Sequence, residues 1–335
     1  MGSSSNFRRA AGGVVRFAAG LLASAGMAFA PAAHAQQVNL PPIIKIVVPF
    51  TAGGSNDLIA RLIAAQLGPR INRTVIVENK PGASTFIGAD YVARAPKDGS
   101  VLLGVSVSMI TAAATKPNLP IDVLKDLAPV VMFSESPMLI VASNKSGIKT
   151  PADLVAAARA KPDIITHGSP GSGTISHLSA EMLNDSAKIQ IKHIPYKGGA
   201  QAMNDVMGGF VDIGIGYTAG PIMPLIQAGK MQLVAVTSLE PSPAFPGVPP
   251  MSTAVPGYDA TIWQGIWAPA GTPAPIIAYL NREIIEAVKA KEIVEALKVD
   301  GAVALSLTPA ESDAKIRKSL AIWKDVATKK SIVAD

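Results

Sequence analysis

Two short stretches carry residue types from which a small-molecule site can be built. Phe50-Thr51-Ala52-Gly53-Gly54 runs into Ser55-Asn56-Asp57, and His167-Gly168-Ser169-Pro170-Gly171-Ser172-Gly173-Thr174 runs into Ile175. Glycine lets a backbone approach a ligand closely, and the unpaired amides and dipole of a helix start favour an anion. Ser169, Ser172 and Thr174 add hydroxyl donors, so the second stretch can hold a carboxylate without an arginine. Taken alone, the first stretch reads as an ordinary strand-to-helix turn whose glycines only reverse the chain.

More specific chemistry is not supported at either place. A phosphate-binding P-loop needs Lys where Thr174 stands, a dinucleotide fingerprint needs Gly at Ser176, and no serine carries the flanking glycines of a nucleophile elbow. His177 has only Glu181 at helical ligand spacing, and the next histidine is His193. We read His177 as packed or hydrogen-bonded near a cleft; catalytic use would need an oriented acid beside it.

These stretches must be positioned by alternating strands and helices. Ile44 to Val48 reads as a strand ahead of the first turn, and a helix follows from Ser55 to Leu67. Thr74 to Glu78 and Val101 to Val105 are further strands, with a helix over Phe86 to Ala93 between them. Such alternation predicts a largely parallel sheet. Ser106 and Ser108 follow the third strand and stand on the same sheet edge as residues 50–54, where capping or loop roles are also open to them. The apolar run from Pro129 to Ser143, interrupted by Pro137, reads as two extended pieces leading into a second domain.

Thr150-Pro151-Ala152-Asp153 opens a helix, and a short strand over residues 164–166 delivers the second glycine stretch. Strands at residues 191–195, 211–216 and 233–236 follow, and Asp212 interrupts an apolar run, where it needs a hydrogen-bonded, structural role. A connector rich in proline, residues 239–257, returns the chain to an aromatic strand with Trp263 and Trp267. Three helices close the sequence, the last opened by Thr308-Pro309-Ala310-Glu311.

Arg8, Arg9 and Arg16 precede an apolar stretch that ends in Ala33-His34-Ala35, a pattern that predicts an export signal cleaved after Ala35. Its apolar part is short for a membrane span. Removing residues 1–35, which hold those three arginines and no acid, lowers the formal charge from +6 to +3. So mild a charge does not point to nucleic acid. The chain has no cysteine, which excludes a disulfide scaffold and thiolate metal sites. Two βα sets joined by extended crossings predict two lobes around a cleft, able to close like a hinge on a ligand.

The ordered set I-V-V-P-F-T-A-G-G-S-N-D, V-I-V-E-N-K-P-G-A, A-R-A-P-K-D-G, H-I-P-Y-K-G-G-A, G-G-F-V-D and W-A-P-A-G-T-P-A-P-I spans nearly the whole mature chain. It resembles the Bug family, the periplasmic substrate-binding components of tripartite tricarboxylate transporters. The resemblance implies a type II periplasmic-binding-protein fold, with lobe 1 from residues 36–140 and 258–335 and lobe 2 from residues 141–257. It implies no catalysis, no cofactor, a small di-, tri- or aromatic carboxylate as ligand, and membrane permease subunits as partners of a monomer. Family binding uses the first loop, here Phe50, Thr51, Ala52, Gly53 and Gly54 supported by Asp57, and the second, here Ser169, Gly171, Ser172, Gly173 and Thr174. Thr51-Ala52 departs from the two prolines common there. Ser106 and Ser108 are expected to line the cleft from lobe 1, with Tyr196 and Asp212 supporting it from lobe 2. Phe50, Phe86 and Tyr217 are candidates for an aromatic slot. A sensor presenting its closed form to a membrane kinase uses the same pocket, and an exported hydrolase using Ser169 or Ser172 with His177 is the rival class.

Overall fold

The computed structural model describes residues 38–334, so the expected export signal and its cleavage point lie outside the described residues. The chain opens with β1 (Ile43–Val48), α1 (Ser55–Ile71), β2 (Thr74–Asn79), α2 (Phe86–Ala93), β3 (Val101–Ser106), α3 (Val107–Thr115) and β4 (Leu127–Pro137). It then crosses into β5 (Leu139–Ser143), α4 (Pro151–Ala160), β6 (Thr166–Ser169), α5 (Ile175–Ala187) and β7 (Lys192–Pro195). There follow α6 (Gly199–Gly208), β8 (Ile213–Tyr217), α7 (Ala219–Gln227) and β9 (Met231–Val236). The chain returns as β10 (Thr261–Pro269), α8 (Ala274–Val288), α9 (Lys291–Val299), β11 (Val303–Ala304) and α10 (Pro309–Lys329).

Two sheets result, one ordered β11-β4-β10-β3-β1-β2 and the other β7-β6-β8-β5-β9. The expected largely parallel sheet is replaced by two mixed ones. β1 pairs in parallel with β2 and β3, and β6 with β7 and β8, as right-handed βαβ units require. The crossing strands run the other way: β10 lies antiparallel between β3 and β4, and β5 antiparallel between β8 and β9. Extended pieces that pass from one sheet to the other return without a helical crossover, so they pair antiparallel.

β1 is buried on both faces at Ile44, Ile46, Val47 and Val48, which explains its continuous apolar sequence. Thr150 and Thr308 each form a reciprocal capping box, with Asp153 and Glu311. One core cluster is continuous across the crossing, from Val105 and Trp263 in the first sheet to Ile140 and Ile213 in the second. α10 joins it through Ile316, Leu320 and Trp323.

At the crossing, buried Thr237 is a node. Its Oγ1 donates to Ala260 O at 2.6 Å and accepts from Met138 N at 2.8 Å, while its amide donates to Met138 O. One side chain therefore pins both crossing segments together. Among the described residues no helix is long and apolar enough to cross a membrane.

Candidate functional site

The carboxyl ends of β1, β3, β6 and β8 each feed a helix, and the amino ends of those four helices meet at one cavity of ≈ 430 Å³ between the sheets. Ser55 and Asn56 bring the start of α1, Ser106 to Ser108 the start of α3, Ile175 the start of α5, and Thr218 with Pro221 the start of α7. Each end exposes amides that no turn of its own helix satisfies, and the four dipoles add at the shared space. Among the described residues the cavity has no lysine or arginine in its lining; its one formal charge is Asp300.

The floor comes from the sheet. Gln264 of β10 pairs with Ser106 of β3 on one side and Ser134 of β4 on the other, so hydroxyl, amide and hydroxyl stand in one row across three strands. Ser136, two residues on from Ser134, falls on the same face. Trp263, Ile262, Ile175 and Leu297 supply the apolar wall. Gly216 reaches the cavity with φ +96°, and a Cβ there would stand 2.8 Å from Ser176 Cα, so β8 and α5 approach too closely for a larger residue.

The first loop is held from behind. Asp57 is 3 % exposed and accepts from Gly53 N at 2.9 Å, Arg61 Nε at 3.1 Å and Asn79 Nδ2 at 2.8 Å. Arg61 first, then the Gly53 amide and Asn79, hold its carboxyl down to about 2 against the cost of burial. Both oxygens are engaged, so Asp57 shapes the loop. Gly53 takes φ +88°, which a glycine accommodates. Phe50 is partly buried against the core, and Thr51, Ala52, Gly53 and Gly54 are exposed beside the cavity-lining Ser55.

The second loop rests on three histidines. Ser169 Oγ and His193 Nε2 share a 2.5 Å hydrogen bond, Gly173 N donates to His177 Nδ1 at 3.2 Å, and Ser176 Oγ pairs with His167 Nε2 at 3.3 Å. His177 and His193 stack with centroids 3.7 Å apart. Burial pushes His177 and His193 down to about 4, and burial with its two histidine neighbours pushes His167 to about 3. The cluster is thus neutral at ordinary pH, as the acceptor role of His177 Nδ1 requires. Thr174 caps α5, accepting from His177 N and donating to Gly171 O at 2.8 Å.

Several expected site residues stand elsewhere. Ser169 is fully buried and bonded into the loop, so it supports rather than lines the cavity. Tyr196 lies beneath the loop with its hydroxyl donating to Asp205 Oδ2 at 2.6 Å. Ser172 faces a smaller space of ≈ 250 Å³ with His177, Glu181 and the C-terminal residues 330–333, and Gly173 packs against Ala334. Asp212 sits at the amino end of β8, accepting from Thr166 N and Oγ1 at 2.9 and 2.7 Å, at the far end of the sheet from the loops. Phe86 and Tyr217 are core residues.

Sequence reasoning missed Ser134, Ser136, Thr218, Gln264 and Asp300. The Ser134-Glu135-Ser136 alternation in a strand was the one available signal. A serine hydrolase is not assembled: Ser169 is inaccessible, and the His177 ring nitrogen nearest the loop is taken by an amide. No group of three or more His, Asp or Glu among the described residues is arranged to hold a metal ion.

The model of the family described as "Tripartite tricarboxylate transporter family receptor" matches residues 59–331. BugT of Bordetella pertussis is 33% identical over 313 residues, covering 91% of this chain and 96% of its own. The periplasmic binding protein BugD has a similar structure, with a TM-score of 0.69 and 32% identity over 87% of this chain and 98% of its own. So does an R. palustris protein solved with adipate, with a TM-score of 0.72 and 29% identity over 87% and 98%. The chain belongs to this family of periplasmic solute-binding receptors of tripartite tricarboxylate transporters, and it is a binding protein rather than an enzyme.

Proposed function

We propose that this receptor captures a small organic carboxylate in the cavity between its two sheets and delivers it to the permease subunits of a tripartite transporter. The observation that carries this reading is the convergence of four helix amino ends on one space whose remaining polar groups are hydroxyls, amides and the single carboxylate of Asp300. An exposed helix dipole contributes only about 0.3 to 1 kcal/mol to an anion, so affinity rests on several directed hydrogen bonds and on exclusion of water when the lobes close. The similar protein solved with adipate is in keeping with this class of ligand. Ser106, Ser108, Ser134 and Gln264 contact the ligand, while Asp57, Ser169 and Tyr196 hold the loops around it. The receptor works as a monomer in the periplasm after cleavage behind Ala35, so sequencing of the exported chain should read Gln36 first.

Thermal denaturation of the protein, refolded once to strip carried ligand, tests the reading against a panel of mono-, di- and tricarboxylates. A true ligand present at about a thousandfold over its Kd should stabilise by about 4 kcal/mol. A panel that leaves the midpoint unmoved throughout would count against a carboxylate ligand.

A further inference from the structure

Beyond α10 the chain makes one more turn. Ser331 takes φ +52°, a left-handed conformation that a residue other than glycine keeps only where its neighbours hold it. Ile332 N closes the turn on Ala327 O at 2.8 Å, and the Ile332 side chain is buried in the core that α3, α5 and α10 share. Residues 331–333 then run between two small spaces, one of ≈ 290 Å³ at the end of α3 and one of ≈ 250 Å³ beside Ser172, His177 and Glu181.

This tail belongs to the half of the molecule built on the first sheet. Ser312 Oγ of α10 accepts from Met132 N of β4 at 2.9 Å, and Lys315 Nζ lies 2.6 Å from Glu135 Oε2. Ala334 N donates at 3.3 Å to the carbonyl of Thr115, the last residue of α3. Other contacts of the tail reach the half built on the second sheet. Lys330 Nζ pairs with Glu181 Oε2 of α5 at 3.3 Å. Ala334 lies so close to Gly173 that a Cβ there would stand 2.5 Å from Ala334 Cβ and 3.1 Å from Thr115 Oγ1. The tail, the end of α3 and the second glycine loop thus meet at one point, two residues ahead of the cavity-lining Ile175.

We propose that residues 330–334 are a strap that holds the two halves together beside the cavity and must release Glu181 and Gly173 before the cavity opens. Rotation about the crossing strands carries α10 and its tail with the first sheet, to which their hydrogen bonds are made, and so draws Lys330 from Glu181 and Ala334 from Gly173. Both contacts are small enough to break and re-form: a partly exposed ion pair is weak and screened by salt, and Ala334 buries little more than a methyl group. The strap sets how readily the receptor opens whatever solute the cavity takes, so its failure would leave the carboxylate reading untouched.

The chain has no cysteine, so spin labels can be placed by two substitutions, Ile87→Cys on α2 and Ser186→Cys on α5, both exposed and one in each half. The test is a pulsed electron-resonance measurement of the distance between them in the whole ligand-stripped protein at low salt. With the strap intact, a longer, open distance should hold no more than about a tenth of the molecules. Truncation after Lys330 should raise the ratio of open to closed at least about tenfold. Lys330→Glu, which sets two carboxylates against each other, should raise it by up to about fivefold, and Lys330→Glu/Glu181→Lys should bring it back. An unchanged distance distribution in both the truncated protein and Lys330→Glu would overturn the strap. Should truncation prevent folding, the charge pair decides: widening in Lys330→Glu that the reversed pair repairs supports the strap, and no widening overturns it.

Discussion

Gln264 is the residue most exposed to test, because its neighbours in the sheet fix where it points. Paired with Ser106 and Ser134, it cannot turn to the opposite face without breaking the register of β10. Gln264→Ala should weaken ligand binding by about tenfold, the worth of one or two directed hydrogen bonds, while leaving the melting midpoint nearly unchanged. Asp57 should behave oppositely. Asp57→Ala removes the acceptor for Gly53, Arg61 and Asn79 and should cost about 1 to 3 kcal/mol of stability, read by urea unfolding. Its carboxyl is lowered from 3.8 to about 2 in the folded chain, so its contribution is complete above pH 3.8 and fades as pH falls toward 2. The gap between wild type and variant should close over that window. Ser106 and Ser108 were legible because they follow a strand; Gln264 and Ser134 were not, since their meeting depends on a pairing between segments far apart in sequence. Asp212 misled for a related reason: an acid in an apolar run marks a needed hydrogen bond but does not say at which end of the sheet it falls.

Among the elements, the second glycine loop and the crossing are held by hydrogen bonds that single substitutions can test. The loop's shape depends on neutral histidines. Their folded pKa values lie near 3 to 4, below the ordinary 6.5, so the unfolded chain binds more protons between those limits. Stability is therefore full above about pH 6.5 and falls as pH drops toward 4. Protonation of His177 also removes the acceptor that holds Gly173 N. In the folded receptor His177 protonates only near pH 4, so affinity should hold to about pH 5 and decline as pH falls through about 4, and His177→Gln, which keeps an acceptor and does not titrate, should flatten the decline when titrations are run from pH 6 to about 3.5. At the crossing, Thr237→Val keeps the volume but strands Met138 N, which should cost about 1 to 3 kcal/mol in urea unfolding. Most strands and helices and the Thr308–Glu311 capping box were readable from local pattern, but the short helix α3 after Ser106 and the strand β11 were not. The antiparallel return of β10 was not, because its partners β3 and β4 and its direction are set only when the two sheets form. The histidine trio escaped for the same reason: His167, His177 and His193 are spread over a strand, a helix and the next strand, and only the parallel pairing of β6 with β7 brings them together.

For the whole molecule, the architecture places one cavity where two sheets, four helix amino ends and the crossing strands all meet. Two extended segments pinned together at Thr237 join the two sheets, and the closure proposed above would, by removing water, strengthen each hydrogen bond to the ligand. The central claim is that the polar row on the cavity floor binds the ligand. Its most direct measurement is calorimetric titration of the stripped protein with whichever carboxylate stabilises it best, repeated on Ser106→Ala/Gln264→Ala and on Asp212→Asn. Binding should be one-to-one, weakened more than about tenfold in the double variant and unchanged in Asp212→Asn, whose acid lies at the far end of its sheet. Equal affinity in all three proteins, or loss only in Asp212→Asn, would contradict it.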